Sequence, residues 1–402
     1  MVHPGHRQPT AVSLAGALFL CHIFCEAWTS SSEGFLVLAL IAFGIAIRRG
    51  EIEVPDSALY GPLVLYVAGS AISAALSRNP MESLGEVSEA ITFLTVPLGL
   101  ALYWRDDEMR ERAFIAFVLL ALLLSLWGAW EYFVLGWNDL EHRISGPAAH
   151  HMSYSGILAG VSLLLFVHAW TRRSAWLGVV VLLTVGALIL TFTRGAWIGW
   201  IAGAAVVVAI RRSRFVLYAL PVLIVAVVFS PAPVFDRAVS SVSLTQASNL
   251  DRIRMIEGGI EMIRDRPLFG VGPGNVKPIY PLYRFEDAPR FRTPHLHNNP
   301  VQIWAERGFI PLVAYTGLIL VLLARFLPAA LRQDPWAQGG LAVTIGLSVA
   351  GLFEFNMGDS EVMLSFLDLV VLSMAGMMAN RIRSGRVLLA SQTSPEGHSE
   401  AP

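Results

Sequence analysis

Charge is what this sequence has least of. Of its 402 residues only 15% are Asp, Glu, Lys or Arg, against roughly 25% in soluble domains. Hydrophobic residues supply 55%, and the mean hydropathy is +0.58. A water-soluble fold could not hide that much apolar surface, so most of the chain must be solvated by lipid. The same scarcity excludes a disordered chain and a nucleic-acid binder. Cysteine is nearly absent: Cys21 and Cys25 are the only two, which excludes a disulfide scaffold. They are spaced as neighbours on one helix face in the first apolar stretch. Small buried thiols are expected there, not a disulfide or a zinc site. Lysine is absent but for Lys277 among 29 basic residues; the rest are arginine, whose planar fork suits phosphate. A cleavage signal is missing too. Leu18-Phe19-Leu20 lacks the small residue that precedes a lipoprotein cysteine, so the first run is expected to be a retained span. No strand-rich stretch and no internal repeat stands out.

What is present is a series of long apolar runs. A crossing needs about 20 mostly apolar residues. Twelve stretches qualify: 10–28, 33–48, 58–76, 88–104, 112–135, 151–170, 174–192, 195–211, 214–231, 301–325, 336–355 and 361–380. The second is short and the fourth carries Pro97. Arginines such as Arg48, Arg49, Arg110, Arg172, Arg211, Arg332 and Arg383 fall in alternate connections and near both termini. The positive-inside rule makes that side cytoplasmic. The other short connections hold only Arg78, Arg143 and Arg194. The formal net charge of −1 therefore conceals a positive cytoplasmic side and a negative outer side.

The expected organisation is an all-α, polytopic membrane bundle. Residues 1–231 form its first nine spans, and 232–300 a small helical domain on the outer side. Residues 301–381 form three more spans, and 382–402 a cytoplasmic tail expected to be disordered. Within the outer segment, Ile253, Ile256, Ile260 and Ile263 recur near the helical period and predict a helix over 249–265. Ser248 with Asp251 resembles a capping box at its start, and Arg266-Pro267 ends it.

Against an acidic outer side, basic groups stand out. Arg194 lies in Thr193-Arg194-Gly195-Ala196-Trp197 at the outer membrane boundary. Its plain reading is an interfacial snorkelling arginine. Gly195, Gly199 and Gly203 follow at spacing four, a small-residue stripe for close helix packing. A helix packed that tightly would hold the guanidinium in place, with a helix N-terminus that favours an anion. Arg143 precedes the sixth span and reads alone as a loop charge. Arg252 opens the outer helix and reads alone as part of a solvated face, with Arg254 competing for any role. Pro294-His295-Leu296-His297-Asn298-Asn299 leads into the tenth span. The His-x-His pair, with His150 and His151 elsewhere, invites a metal, but no acidic motif of metal-ligand type accompanies it. A neutral imidazole there suits a general base; the plainer reading is a histidine capping the next helix. Gly270-Val271-Gly272-Pro273-Gly274-Asn275 follows no strand and reads as a turn, not a phosphate loop.

Three motifs together carry a family resemblance. They are Thr-Arg-Gly-Ala-Trp at 193–197; Arg252 and Gly259 followed by 262–275; and His297-Asn298 followed by Gln302, Glu306 and Gly308. Their order, with the large outer segment before the His-Asn motif, resembles the O-antigen ligase and O-antigen polymerase family of bacterial inner-membrane proteins. The resemblance is densest over about 190–320. It implies a helical membrane fold of the C-type glycosyltransferase kind, with its active site on the periplasmic face. It implies a glycan donor linked to undecaprenyl diphosphate, and lipid A–core oligosaccharide or another glycan as acceptor. It implies no cofactor, no metal and no nucleic-acid partner. Carried over by motif, Arg194 and Arg252 would bind the diphosphate, Arg143 matches a weaker motif, and His297 would activate the acceptor hydroxyl. His295, Asn298, Arg254 and Glu306 stand beside them as further site residues. His150-His151-Met152 departs from the family's frequent Asn-Pro-Asn. A ligase is the first expectation and a polymerase the alternative. A polysaccharide or lipid transporter is a third, though it would more often show two related halves with broken helices.

Overall fold

A computed structural model describes residues 10–148, 150–212 and 247–393. All regular elements among the described residues are helices, with an isolated bridge, Asn138–Arg143, and no strand. The expected ninth span, 214–231, and the first part of the outer segment lie outside the described residues. Six helices are long and apolar enough to cross a membrane: Ser30–Arg48, Pro80–Tyr103, Asp107–Phe133, His151–Arg172, Phe309–Leu331 and Ser360–Ser384. Four more, Thr10–Phe24, Tyr60–Ala75, Ala175–Leu190 and Arg194–Ile210, are apolar but shorter.

Several boundaries differ from the sequence expectation. The fourth span is a composite. It starts at Pro80 and passes through a 3₁₀ stretch, Glu89–Leu94, into the Thr95–Tyr103 helix. Pro97 falls in the first turn of that last piece, where its missing N–H is harmless. The tenth span is two helices, Asn299–Arg307 and Phe309–Leu331, parted at Gly308 (φ 91°). A Cβ on Gly308 would meet the Leu268 carbonyl oxygen at 2.3 Å, so a glycine is needed where the chains touch. The last helix runs to Thr393, well past the expected end of the span.

The glycine stripe after Arg194 does what its spacing suggests. The Arg194–Ile210 helix packs against Pro335–Ala350 so closely that a Cβ on Gly199 would lie 2.4 Å from the Gly346 carbonyl oxygen. One on Gly203 would lie 2.5 Å from that of Ala342. Deeper in the bundle, His22 Nε2 lies 2.9 Å from an Asp368 oxygen, and Ser32 Oγ meets His22 Nδ1 at 2.8 Å. Thr95 donates to the other Asp368 oxygen. This fully buried knot ties four helices together and satisfies polar groups that lipid could not.

Cys21 and Cys25 correct an expectation. They are free thiols, but Cys21 is exposed and Cys25 half-buried. His22, Ile23 and Glu26 take the inward face, leaving Cys21 on the outer surface of the bundle, where a small apolar thiol costs little.

Candidate functional site

The outer helix runs over Ala247–Asp265 among the described residues, so Ser248 is already helical. Asp251 pairs with Arg290 at 2.9 Å instead of completing a capping box. Its buried stripe also differs from the isoleucine pattern: Ile253 and Ile260 are exposed, while Met255, Gly258, Gly259 and Met262 face inward. The glycines decide this. A Cβ on Gly259 would meet Leu296 at 2.6 Å and Val301 at 2.7 Å, so that face alone admits the histidine loop.

The glycine-rich run 270–275 is a turn, as read from sequence, and its role is mechanical. Gly270, Gly272 and Gly274 all have positive φ. Val271 N–H donates to Ala305 O at 2.9 Å, Gly272 N–H to Glu306 O at 2.8 Å and Gly274 N–H to Glu306 Oε1 at 2.5 Å. The run thus clasps the end of the Asn299–Arg307 helix. Inside the clasp Gln302 donates to Glu306 Oε2 at 2.5 Å and accepts from Leu296 N–H at 2.8 Å. Glu306 and Gln302 therefore hold the histidine loop in place. Asn298, not a histidine, caps the helix: its side chain accepts from Val301 N–H at 3.0 Å and donates to Leu352 O at 3.0 Å. Asn299 N–H donates to Gly351 O at 2.7 Å, and its side chain to Asn356 at 2.5 Å.

These bonds pin the link between Ala350 and Ser360 to the histidine loop, and they deliver a residue the sequence motifs did not single out. Glu354 Oε1 lies 2.6 Å from His297 Nδ1 and 3.8 Å from His295 Nδ1. Glu354 Oε2 lies 3.5 Å from Arg252. The His297–Glu354 approach is close but not aligned as a straight hydrogen bond, so the attraction is chiefly electrostatic. His297 is buried and holds φ 52°, a strained conformation for a non-glycine residue that the surrounding bonds impose. Burial alone would raise the Glu354 carboxyl. The contact and charge of His297, then the charges of His295 and Arg252, outweigh it and hold the pKa below its usual value. Burial, followed by the charge of His297, pushes His295 down to about 4. The two imidazoles lie 4.3 Å apart between centroids.

Arginines surround this pair. Arg194 is 5% exposed, follows the strained Phe192 (φ 53°), and donates to Asn249 Oδ1 at 2.6 Å. Asn249 precedes Arg252 by one helical turn. Arg143 donates to Leu140 O at 3.0 Å and meets His151 Nε2 at 3.1 Å. Burial and then the charge of Arg252 lower its pKa. Arg194 feels the charges of both Arg252 and Arg143. Three guanidinium groups from three separate segments thus gather at one end of the bundle. Arg143 and Arg252 line a cleft of about 630 Å³ together with His150, His295, His297 and Glu354. Arg254 is not brought in. It pairs with Glu257 at 2.6 Å and with Asp287, and lies over the Phe285 ring.

The ligand atoms of His295, His297 and Glu354 fall within 4.8 Å of one another, so a cation site is conceivable from composition. Their spacing argues for a different use. Two ligands of one tetrahedral ion stand about 3.3 Å apart for bonds near 2.0 Å, whereas His297 and Glu354 are at 2.6 Å, the distance of an acid supporting a base.

A helical bundle with helices long and apolar enough to cross a membrane thus ends in clustered arginines around a carboxylate-backed histidine. Residues 179–316 match the family model described as O-Antigen ligase, the family that the three motifs resemble. That match spans Arg194, Arg252 and His297; Arg143 and Glu354 lie outside it. No curated protein matches the chain.

Proposed function

We propose that this protein transfers a glycan from undecaprenyl diphosphate to lipid A–core oligosaccharide. In this reading the chain crosses the bacterial inner membrane twelve times, has both termini in the cytoplasm and works on the periplasmic face without a metal. The observation that carries the reading is the convergence of Arg143, Arg194 and Arg252 beside His297, which is itself backed by Glu354. Clustered arginines repel one another until a multivalent anion joins them, and a diphosphate supplies that charge with geometry suited to guanidinium forks.

The chemistry follows from the parts. The acceptor hydroxyl attacks the anomeric carbon, and its proton passes to His297 as the new C–O bond forms. The bond from that carbon to the diphosphate oxygen breaks, and the electron pair leaves with the diphosphate. Attack from the side opposite the leaving group inverts the anomeric centre. Negative charge grows on the diphosphate, where fixed arginines stabilise it; such preorganised terms are often the largest in catalysis. Glu354 orients the imidazole and stabilises its protonated form. Deleting the gene and separating lipopolysaccharide on a gel tests the reading. A ligase loss leaves bare core while glycan accumulates on its carrier; core bearing a single repeat would make the protein a polymerase. An unchanged ladder would overturn both.

A further inference from the structure

The three arginines of the site are held in different ways. Arg252 approaches Glu354 and Arg194 donates to Asn249. Arg143 is held by a backbone carbonyl and a histidine. Its Nε donates to Leu140 O at 3.0 Å, and one terminal nitrogen lies 3.1 Å from His151 Nε2. A guanidinium can only donate, so His151 Nε2 accepts. The ring's proton is then on Nδ1, and the ring is neutral. His150 repeats the logic. Its Nδ1 accepts from Met152 N–H at 3.3 Å where the His151–Arg172 helix begins, so its proton is on Nε2. The two rings lie 3.9 Å apart between centroids. Neutral imidazoles tolerate that approach, whereas two imidazolium ions beside an arginine would repel one another.

The bond to Arg143 exists only while His151 is neutral. Protonation takes the lone pair from Nε2, and acceptor and donor become like charges. Histidine is the side chain that makes this change near neutral pH. The acidic groups lining the cleft are Asp251, Glu354, Asp359 and Glu361, and each is already engaged. Asp251 pairs with Arg290, Glu354 with His297 and Arg252, and Asp359 with Ser153; Glu361 is partnered too. The added charge would instead meet Arg143, already close to the charge of Arg252. With His151 neutral, Nε and one terminal nitrogen of Arg143 are fixed. The other terminal nitrogen keeps two N–H groups for a ligand of the cleft that Arg143 lines. A fork held in advance loses less freedom when an anion binds.

We propose that His151 is the positioning residue for Arg143: its neutral ring fixes the guanidinium for the donor's diphosphate, and its protonation releases that arginine, so donor binding weakens as the medium acidifies. The inference rests on the glycosyl-transfer reading above and adds to it how donor binding is regulated. The test uses full-length protein in lipid vesicles, with purified lipid-linked donor and lipid A–core as acceptor. His151→Leu removes the acceptor atom. It should raise the donor KM about three- to thirty-fold, the effect of one lost hydrogen bond to a charged group, with kcat and the acceptor KM within about two-fold. His151→Gln offers an amide oxygen that accepts at every pH, so its donor KM at about pH 7.5 should stay within about two-fold of the wild type. Between about pH 7.5 and about pH 5.5 the wild-type donor KM should rise about five-fold more than that of His151→Gln. Comparing the two at each pH cancels the titration of the diphosphate and of His297. An unchanged donor KM in His151→Leu, or an acid rise in His151→Gln equal to that of the wild type, overturns the proposal. Should His151→Leu fail to fold, the acid slope of His151→Gln still decides. A second measurement needs no turnover. Undecaprenyl diphosphate should bind the wild type and His151→Gln alike at about pH 7.5 and His151→Leu more weakly; equal binding by all three overturns the brace. A wild type that binds this lipid but transfers no glycan fails the transfer reading and leaves the brace standing.

Discussion

His297 is the residue on which most depends. Its ring sits 2.6 Å from a carboxylate whose own pKa is held below normal, so the imidazole has a partner to stabilise the proton it collects. His297→Ala should lower transfer by about 10²–10⁴-fold, the usual range for a lost general base, with normal protein levels in the membrane. Full activity would remove it from that role. Glu354→Gln keeps shape and loses charge; it should give a smaller loss and shift the acidic limb of the pH–rate profile. Arg194→Lys keeps charge and loses the fork. At least a ten-fold loss is expected if the guanidinium's geometry matters; a wild-type rate would leave a snorkelling arginine. The pair His295 and Glu354 also makes stability depend on pH. Both groups have depressed pKa values in the fold, so both contribute stability at high pH. The His295 share is complete above about 6.5 and is lost as pH falls toward 4; the Glu354 share goes lower still. Thermal unfolding in detergent should therefore shift down as pH drops from 7 to 4, and His295→Gln should flatten the upper part of that slope.

At the scale of elements, glycines set the distances. Gly199 and Gly203 let the Arg194–Ile210 helix lie backbone to backbone against Pro335–Ala350. The far end of the second helix leads into the Glu354 link, so one contact positions both an arginine and the carboxylate. Gly199→Val would force the helices apart and should cost about 1–3 kcal/mol, the typical range for overpacking. It should lower the melting temperature and activity together; an unchanged melting temperature would show that the helices part freely. Sequence spacing revealed this stripe because a small-residue repeat is local. The clasp of 270–275 on Glu306 was not legible in that way. Its glycines looked like a bare turn, and only the approach of the Asn299–Arg307 helix shows why each needs positive φ.

The proposed topology divides the charge of the whole molecule across a membrane, and that division is testable. After Cys21→Ala and Cys25→Ala, single cysteines at the exposed positions 141 and 286 should be labelled from outside intact spheroplasts. One at 332 should react only after lysis. Labelling of all three from outside would overturn the proposed orientation. The gathering of the site is a property at this scale too. Arg143, Arg194, Arg252, His297 and Glu354 come from five segments spread over more than half the chain, and none touches another through local sequence.

Composition and hydropathy by themselves determined the solvent, the helical class and most of the apolar segments, because lipid forces every backbone group into helix bonds. Motif order pointed to the family whose model matches residues 179–316, and it singled out His297, Arg194 and Arg252. Tertiary structure alone decided the rest. It set Arg254 aside by pairing it with Glu257 and Asp287, and it turned Glu306 and Asn298 into scaffold. It chose His297 over His295 as the carboxylate-backed imidazole, and it supplied Glu354. The reason is physical. A side chain's type is written in the sequence, but its partner is whatever the packing of distant helices brings within 3 Å. For Glu354 that partner is a histidine nearly sixty residues away.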